Sequence, residues 1–382
     1  MTTSYDPIAE ARRLAPLIAA HADETEASRR LAQPVVDALR DAGLFHLFVP
    51  AAYGGREAGP VTACQAIEEV SSVDGSAGWC LMIASQNAAF GGFFEPSTAK
   101  AVFGSGGILA GVARPIGRAV IVEGGYRVSG RWPFASGSTH ATYLAGECVI
   151  YDGDTPKAGA HGGHSVMAMV PAADAVIHDT WYTTGLRGTA SNEIEFRDVF
   201  VPEAFAMEMF PPAPVHPWPL FRSLAFIFVT HGSQAVGVAR GAVAAATAIA
   251  KAKPYWGTEK PSSEQGRIQY VLAEAMVTVE AAREHMYGAT QRLWDALLAG
   301  SPTPQLNSRM RLAASYGATS SVRAVDLVHS AMATSAIFEK NPLERRFRDI
   351  HTAAAHVMIG PLTYEAAGRV ELGLQAMMPF FE

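Results

Sequence analysis

The spacing of hydrophobic and polar residues divides the chain into three parts. Up to about residue 106, apolar residues recur every three or four positions in 34–42, 60–71 and 78–94, which predicts helices. From residue 108 to about residue 202, short runs rich in Val, Ile and Tyr alternate with Gly-containing turns, which predicts strands. Beyond residue 220 the helical spacing returns in long Ala-rich segments. The pattern therefore predicts helices, then a sheet, then helices.

Two local signals refine this division. The stretch EGGYRVSG places a Gly-Gly pair between two strand-like runs, which is typical of an antiparallel hairpin. The stretch FPPAPVHPWPLF at 210–221 is a boundary, because proline neither continues a helix nor fits a central strand. Four long helical patterns follow it, separated by short Gly, Pro or Ser breaks, and they predict a helix bundle. They cover 221–253, 267–298, 307–338 and 348–374.

These observations predict an α+β protein of three domains. We expect an N-terminal helical domain at 1–106, a central antiparallel β domain at 107–210 and a C-terminal four-helix bundle at 211–382. The most apolar run, AVGVARGAVAAATAIA, contains Arg240 and is shorter than the roughly 20 residues that span a bilayer. We therefore interpret this run as a buried bundle helix.

Charge and cysteine content narrow the classes of partner. The 30 basic and 36 acidic residues give a net charge of −6, so neither nucleic acid nor an anionic membrane is an expected partner. Three scattered cysteines with no CxxC argue for a reducing compartment. The first residues lack the apolar core of a signal peptide, and we expect a cytoplasmic protein.

Several catalytic motifs are missing from the sequence. No GxGxxG follows a predicted strand, and there is no Walker A loop, HExxH or GxSxG. The HGGH at 161–164 has residues that bind metals, but it lacks acidic or Cys neighbours within a Gly-rich loop. We interpret HGGH as a solvated turn and expect no metal site.

One segment of the predicted sheet combines aromatic and hydroxyl side chains. GRWPFASGSTHATY, at 130–143, places Trp132 and Phe134 beside Ser136 and Ser138. Aromatic planes next to a Gly/Ser loop suit a flat heterocycle, whose polar edge the loop can hydrogen-bond. The alternative is a strand with core aromatics followed by an ordinary turn, and the residues alone leave both interpretations open.

Four segments in this order resemble the acyl-CoA dehydrogenase superfamily across essentially the whole chain. They are GLFHLFVPAAYGG, GRWPFASGS, GLRGTASNEIEFRDVFVP and RRFRDIHTAAAH. The resemblance implies the same three-domain arrangement, usually as a homotetramer, with a flavin between the β domain and the bundle. It also implies that the loop carrying Trp132, Phe134, Ser136 and Ser138 contacts the flavin ring.

The last of these segments distinguishes two branches of the superfamily. The dehydrogenases usually abstract a proton with a Glu that follows the RD of this region, whereas His356 and Val357 stand there in this chain. Glu365 lies further on and does not match that motif. Without a carboxylate base the dehydrogenation lacks its proton acceptor. The chain instead resembles the oxygenase components of two-component flavin monooxygenases.

That branch implies a specific chemistry. Its members take reduced FMN or FAD from a separate NAD(P)H:flavin reductase, bind O₂ and form a C4a-hydroperoxyflavin. They then oxygenate a small aromatic, heteroaromatic or N/S-containing substrate. Two alternatives stay open: an acyl-CoA dehydrogenase-like dehydrogenase or oxidase with another base, and a catalytically silent binding homologue.

The resemblance also implies roles for individual residues. His356 matches the catalytic histidine beside flavin and substrate, Ser136 matches the serine near flavin N5, and Ser191 matches a position near the cofactor. An imidazole suits this role because it titrates near neutral pH. Arg267 resembles an arginine that meets the flavin phosphate, which a guanidinium binds well. For Arg267 the alternative is an exposed residue in the first turn of its helix.

Two further residues need comment. Several aromatic hydroxylases of this branch carry a second histidine on the helix after GW, where this chain has Asn87. Asn87 can hydrogen-bond a substrate but cannot act as a base, which weakens a simple phenol hydroxylase assignment. His351 precedes His356 by five positions, so the two side chains do not share a face of a helix. We expect His351 to be structural and bonded to a neighbouring helix.

Overall fold

The computed structural model of the chain describes residues 5–158, 164–208, 213–378 and 381. Its N-terminal part is helical, as the hydrophobic spacing predicts. Asp6 and Asp74 cap the first and fifth helices, because each carboxylate accepts a backbone N–H of the first turn. The helices are α1 (Pro7–Ala20), α2 (Ala22–Ser28), α3 (Gln33–Asp41), α4 (Pro60–Val73), α5 (Gly75–Ala88) and α6 (Pro96–Phe103).

In the described residues of the central part, eight strands form one sheet. They are β1 (Leu109–Val122), β2 (Gly125–Ala135), β3 (Tyr143–Asp152), β4 (Thr155–Pro156), β5 (Ser165–Pro171), β6 (Val176–His178), β7 (Asn192–Pro202) and β8 (Ala206–Glu208). Their order is β6-β7-β2-β1-β3-β5-β8, with β4 paired to β3. All described pairs are antiparallel except β1 with β3, so the predicted antiparallel sheet is mixed. The EGGYRVSG turn joins β1 to β2, as predicted.

The C-terminal part, as far as the structure describes it, contains five α-helices. They are α7 (Phe226–Ala252), α8 (Gly266–Leu298), α9 (Pro304–Met332), α10 (Pro342–Ala354) and α11 (Pro361–Glu371). Helix α7 is the central one, since it packs against α4 and α5 as well as α8, α9 and α10. It is long and apolar enough to cross a membrane, yet more than half of its most apolar window is buried inside the protein. The predicted buried bundle helix is confirmed.

One predicted helix is wrong in an informative way. The pattern over 348–374 predicts a single helix, whereas the structure ends α10 at Ala354 and starts α11 at Pro361. Pro361 has no N–H to donate and disfavours helical backbone at Gly360, so it cannot continue a helix from α10 and instead begins α11. His356 therefore lies in the connection and not on a helix face. Its backbone is extended, with φ −70° and ψ 129°.

A buried carboxylate joins the N-terminal helices to the bundle. Glu68 on α4 has no exposed surface, and both of its oxygens accept hydrogen bonds from Arg283 Nε of α8 at 2.9 Å. Arg240 of α7 and the Tyr287 hydroxyl of α8 also donate to this carboxylate. Because burial of an unpaired charge is costly, these donors and Glu68 stabilise the fold only as a set.

We expect Glu68→Gln to lower the free energy of unfolding by about 2 kcal/mol, because the partly buried Arg240 and Arg283 lose the carboxylate that they share in the interior. Urea denaturation of both proteins at pH 7 measures the difference. Glu10→Gln serves as the control, since Glu10 pairs with the exposed Arg13, and it should behave like the wild type. Equal denaturation midpoints for Glu68→Gln and the wild type would remove Glu68 from this structural role.

Candidate active site

Four parts of the chain meet at the indole of Trp79. Trp79 lies on α5, and its Nε1 donates a hydrogen bond to Ser136 Oγ, just after β2, at 3.0 Å. The indole meets the ring of His356 nearly edge-on, with 5.8 Å between the ring centroids. It meets the ring of His231, on α7, in the same way at 5.6 Å. Helix α5, the sheet, the α10–α11 connection and the bundle therefore converge here.

A chain of hydroxyl groups continues from Ser136 into the sheet. Ser136 Oγ lies 2.7 Å from Ser191 Oγ, which lies 2.7 Å from Thr189 Oγ1. Thr189 Oγ1 donates to the carbonyl of Leu186 at 2.9 Å. A carbonyl can only accept and the indole N–H can only donate, so all protons in the chain point from Trp79 towards Leu186. Ser136 therefore donates its own hydroxyl proton to Ser191, and one lone pair of its oxygen stays available to a further donor.

The loop that carries this chain is held by α10. Leu186 and Ala190 have positive φ angles of 49° and 44°, which are unfavourable for residues with a Cβ. The Leu186 N–H donates to Asp349 Oδ1 at 2.6 Å, and the Gly188 N–H donates to Ser76 Oγ at 3.1 Å. Burial raises the pKa of Asp349 to about 7. These anchors fix the strained loop relative to α5 and α10.

The two imidazoles form a close pair. The ring centroids of His231 and His356 are 4.3 Å apart, with 31° between the ring planes. Nδ1 of His356 accepts the backbone N–H of Met358 at 3.4 Å, which assigns the proton of the neutral ring to Nε2. In the part of the chain that the structure describes, no residue hydrogen-bonds Nε2 of His356. This N–H is therefore available to a ligand.

Burial keeps both imidazoles neutral. Desolvation lowers the pKa of His356 to about 4. Desolvation also lowers the pKa of His231 well below its usual value; the neighbouring His356 and Arg311 act in the same direction, and a hydrogen bond with the Phe228 backbone acts against them. A neutral ring can donate through one nitrogen and accept through the other, whereas a protonated ring can only donate.

Phe134 presents an aromatic face beside Ser136. Its backbone has φ +68°, which is an outlier for a bulky residue, and its ring is 64% exposed. The Ser136 N–H donates to the Phe134 carbonyl at 2.9 Å across this bend. The Phe134 ring meets Trp181 at 83°, with 6.1 Å between the centroids. An exposed ring on strained backbone next to Ser136 is suited to cover a planar ligand.

The structure corrects the prediction for Trp132. Its ring is fully buried in the core of the sheet and packs on Phe196 at 4.9 Å. Side chains at Gly117 and Gly146 would collide with this ring, because each Cβ would lie within 3 Å of it. Trp132 Nε1 donates to the Glu147 carbonyl at 2.8 Å. The indole of Trp132 therefore belongs to the core of the sheet, which was the alternative to a flavin contact, and it cannot cover a flavin.

Three other predicted residues have partners of their own. Ser138 is buried and donates to the Ala190 carbonyl at 3.0 Å, so it supports the loop that holds Ser191. Asn87 Nδ2 donates to the Ile83 carbonyl of its own helix at 2.9 Å. Ser191 lies inside the hydroxyl chain. Of these three, only Ser191 contacts Ser136 directly.

Arg267 lies away from the Trp79 cluster. It is exposed in the first turn of α8 and lines an open groove of about 540 Å³ between α8 and α9. Asp326 of α9 lines the same groove and bonds His351 Nε2 at 2.9 Å. The prediction that His351 bonds a neighbouring helix is confirmed. The structure thus does not bring Arg267 to the cluster within one copy of the chain.

The HGGH segment lies mostly outside the described residues. Its last residue, His164, is described, and its Nε2 lies 3.1 Å from Glu208 Oε1. Among the residues that the structure describes, no group of three or more His, Cys, Asp or Glu side chains forms a metal site.

The sequence analysis missed three members of the cluster. Trp79 is the Trp of the GW pair that precedes Asn87, but the sequence did not indicate that its indole N–H would bond Ser136. Gln86 precedes Asn87, and it is Gln86 that reaches His231, at 3.0 Å. His231 falls in FIFVTHGSQAVGV, where a polar THGSQ interrupts an apolar helix. Such an interruption in a buried helix is the signal that could have found it, since buried polar groups need partners.

Comparison with known proteins agrees with the geometry. Residues 9–93 match the family described as "Acyl-CoA dehydrogenase, N-terminal domain", and residues 229–361 match "Acyl-CoA dehydrogenase, C-terminal domain". The chain is 30% identical to the oxygenase subunit HsaA of a flavin-dependent monooxygenase of Mycobacterium tuberculosis, with 94% of each chain covered.

Two other proteins extend the comparison. The chain is 27% identical to an indole-3-acetate monooxygenase of Pseudomonas putida, covering 93% of this chain and 90% of that one. Among solved structures, XiaF from Streptomyces sp., in complex with FADH2 and glycerol, superposes with a TM-score of 0.89 at 26% identity. That superposition covers 98% of this chain and 96% of XiaF.

The lowered pKa of His356 predicts a pH dependence of stability. The unfolded chain binds a proton at His356 near pH 6.5 and the folded chain only near pH 4, so stability is complete above pH 6.5 and falls between these values. His356→Leu should reduce this loss by up to about 1.4 kcal/mol per pH unit. Urea denaturation between pH 7 and pH 4.5 measures it. Val357→Ala, which changes no titratable group, is the control, and a slope for His356→Leu equal to that of the control would contradict the prediction.

Proposed function

The chain belongs to the acyl-CoA dehydrogenase family as a flavin-dependent monooxygenase, and we propose that it oxygenates a small aromatic substrate with reduced flavin from a separate reductase. The observation that carries this proposal is an imidazole, and not a carboxylate, against Trp79 and Ser136. Glu365, the first acidic residue after His356, is exposed on α11. Asp349 is occupied with the Leu186 N–H. Neither is suited to abstract a proton from a thioester in this cluster.

The residues present fit a reduced flavin. Ser136 has one lone pair left and can accept an N–H, the group that a reduced flavin carries at N5. The exposed ring of Phe134 offers a face to a flat heterocycle. Trp181 supports Phe134 and is itself anchored, since its Nε1 donates to the Leu186 carbonyl at 2.9 Å. When bound, reduced flavin supplies the electrons that activate O₂.

The side chains around this site control protons and water. Ser136 can accept a hydrogen bond from the flavin N–H. To donate its own proton elsewhere, it would have to break its hydrogen bond to Ser191. His356 offers Nε2–H to an oxygen atom of a bound ligand, since its Nδ1 accepts the Met358 N–H. To accept a proton through Nε2 it must adopt the other tautomer and lose its contact with the Met358 N–H. Because both imidazoles are neutral, they bring no charge into the site, and the buried ring of His231 keeps water from its side of the cluster.

The substrate class follows from the walls of the cluster and from the relatives. Trp79 and the half-buried Ile83 give an apolar, aromatic wall on α5, and such walls bind aromatic rings. Two relatives are described as an indole-3-acetate monooxygenase and an FADH2-dependent resorcinol hydroxylase, which act on aromatic compounds. We extend this to a small aromatic or heteroaromatic substrate, with either FADH₂ or FMNH₂ as the cofactor. Arg267 would meet the flavin phosphate from a neighbouring copy of the chain.

Rapid mixing with oxygen tests the proposal. The protein is equilibrated anaerobically with FMNH₂ or FADH₂ and mixed with oxygenated buffer in a stopped-flow spectrometer. We expect an absorbance phase that precedes oxidised flavin and lasts much longer than oxidation of free flavin in a matched control. Bleaching of bound oxidised flavin by a saturated acyl-CoA would instead identify a dehydrogenase. Failure to bind either flavin would identify a silent homologue.

We expect His356→Ala to bind reduced flavin as the wild type does but to release hydrogen peroxide at least tenfold faster after mixing with oxygen. The reason is that the variant lacks the Nε2–H donor, and one such donor in a closed site is worth tenfold or more. Peroxide release and the lifetime of the absorbance phase are the measurements. His351→Ala is the control, and unchanged peroxide release in His356→Ala would remove His356 from the mechanism.

A further inference from the structure

The carbonyl of Leu186 supports both of the residues that are proposed to contact the flavin. Thr189 Oγ1 donates to it at 2.9 Å and is the last hydroxyl of the chain that begins at Ser136. Trp181 Nε1 donates to the same carbonyl at 2.9 Å, and the Trp181 ring contacts the ring of Phe134. The positions of Ser136 and Phe134 therefore both depend on where Leu186 lies.

A buried carboxylate holds the backbone of Leu186 in an unfavourable conformation. The φ of 49° at Leu186 lies in the left-handed region, which costs free energy for a residue with a side chain. The Leu186 N–H donates to Asp349 Oδ1 at 2.6 Å, and Asp349 is only 1% exposed. Because hydrogen bonds to a carboxylate are among the stronger ones in proteins, this bond helps to keep the strained residue in place.

Asp349 also lies against the start of the helix that carries Trp79. A Cβ atom at Gly75, the first residue of α5, would lie 2.8 Å from Asp349 Oδ2, so the carboxylate contacts this turn of the helix. Trp79 follows Gly75 by about one helical turn. One carboxylate therefore contacts Leu186 at one end of the hydroxyl chain and, at the other end, the helix that carries Trp79.

The residue before Leu186 brings the loop into direct contact with α10. A Cβ atom at Gly185 would lie 2.1 Å from the carbonyl oxygen of Arg348 and 2.6 Å from Oγ1 of Thr352. A larger residue at Gly185 would therefore push the loop away from α10. Such a displacement would lengthen the hydrogen bond between Leu186 and Asp349 without changing either side chain.

An acceptor oxygen at position 349 is what Leu186 requires. Burial and the neighbouring Asp74 and Glu26 raise the pKa of Asp349 to about 7, against the Leu186 N–H and Arg348, which lower it. Near neutral pH the carboxylate and the neutral acid are therefore both populated, and each has an oxygen that can accept this N–H. An amide offers the same acceptor in the same place, so Asn is the conservative replacement.

We infer that Asp349 is a positioning residue for the flavin site, which holds Ser136 and Phe134 in place through Leu186. This inference rests on the proposed function and adds a residue that lies behind the flavin contacts. Helix α10, which carries Asp349, leads directly into the connection that carries His356. One segment of the chain thus contributes an imidazole to the site and also holds the loop that supports the flavin contacts.

Peroxide release tests whether Asp349 acts through its acceptor oxygen. Asp349→Ala removes the acceptor, whereas Asp349→Asn keeps one. After the reduced-flavin complex is mixed with oxygen, we expect Asp349→Ala to release hydrogen peroxide about tenfold faster than the wild type, because one hydrogen bond to a carboxylate is worth about that factor. Asp349→Asn should stay within about twofold of the wild type. Glu68→Gln, which destabilises the fold elsewhere, should release peroxide as the wild type does.

Hydrogen exchange of the protein without flavin gives a second readout that does not depend on turnover. After deuterium labelling at neutral pH, mass spectrometry follows the backbone amides of residues 183–192. We expect these amides to exchange about tenfold faster in Asp349→Ala than in the wild type or in Asp349→Asn, because the loop opens more often. Glu68→Gln should leave the exchange of this segment unchanged.

A second variant keeps the test decisive. If Asp349→Ala does not fold, Gly185→Ala replaces it, because the added Cβ lengthens the same hydrogen bond from the side of the loop. Unchanged peroxide release or unchanged exchange in the variant used, or an Asp349→Asn protein as fast as Asp349→Ala, would overturn the inference. Faster exchange in a protein whose wild type shows no flavin–oxygen absorbance phase would overturn the proposed function and retain Asp349 as the residue that holds the loop.

Discussion

The site depends on one hydrogen bond, from the indole of Trp79 to Ser136. It ties helix α5 to the chain of hydroxyls that runs through Ser191 and Thr189, whose direction is set at the far end by the Leu186 carbonyl. The same indole meets both imidazoles edge-on and so limits where their rings can lie. Helix α5 thereby positions Ser136 after the sheet strand β2, His231 of the bundle and His356 of the α10–α11 connection.

This convergence requires the helical parts to keep their relative positions, and buried charge contributes to that. The Glu68 carboxylate takes donors from α7 and α8, so any displacement of α4 from the bundle would expose or unpair a charge. Around the imidazoles the opposite condition holds, since burial keeps them uncharged. A charged cluster thus joins the helices at Glu68, whereas the two imidazoles of the proposed site are neutral.

The order of helices, sheet and helices can be predicted from the sequence, because hydrophobic spacing and Pro-rich breaks depend on residues that are close together in the chain. His356 and Ser136 were found through motifs, and the structure brings both to Trp79. Trp132 and Phe134 show the limit of this reasoning: they are two residues apart in one aromatic motif, yet one fills the core and the other is exposed. Because side chains alternate between the two faces of a strand, residues two positions apart are expected on the same face. The positive φ of Phe134 breaks this alternation, and the sequence pattern does not reveal it. His231 was missed because its contacts with Gln86 and His356 join residues more than a hundred positions apart.

The end of the hydroxyl chain has a consequence for proton traffic. A row of hydroxyls conducts protons only when its last member can pass one on, and here the last acceptor is the Leu186 carbonyl, which has no proton to release. The row of hydroxyls therefore ends at a group that accepts a hydrogen bond but cannot pass a proton on. The proton that Ser136 holds therefore cannot leave along the row towards Leu186.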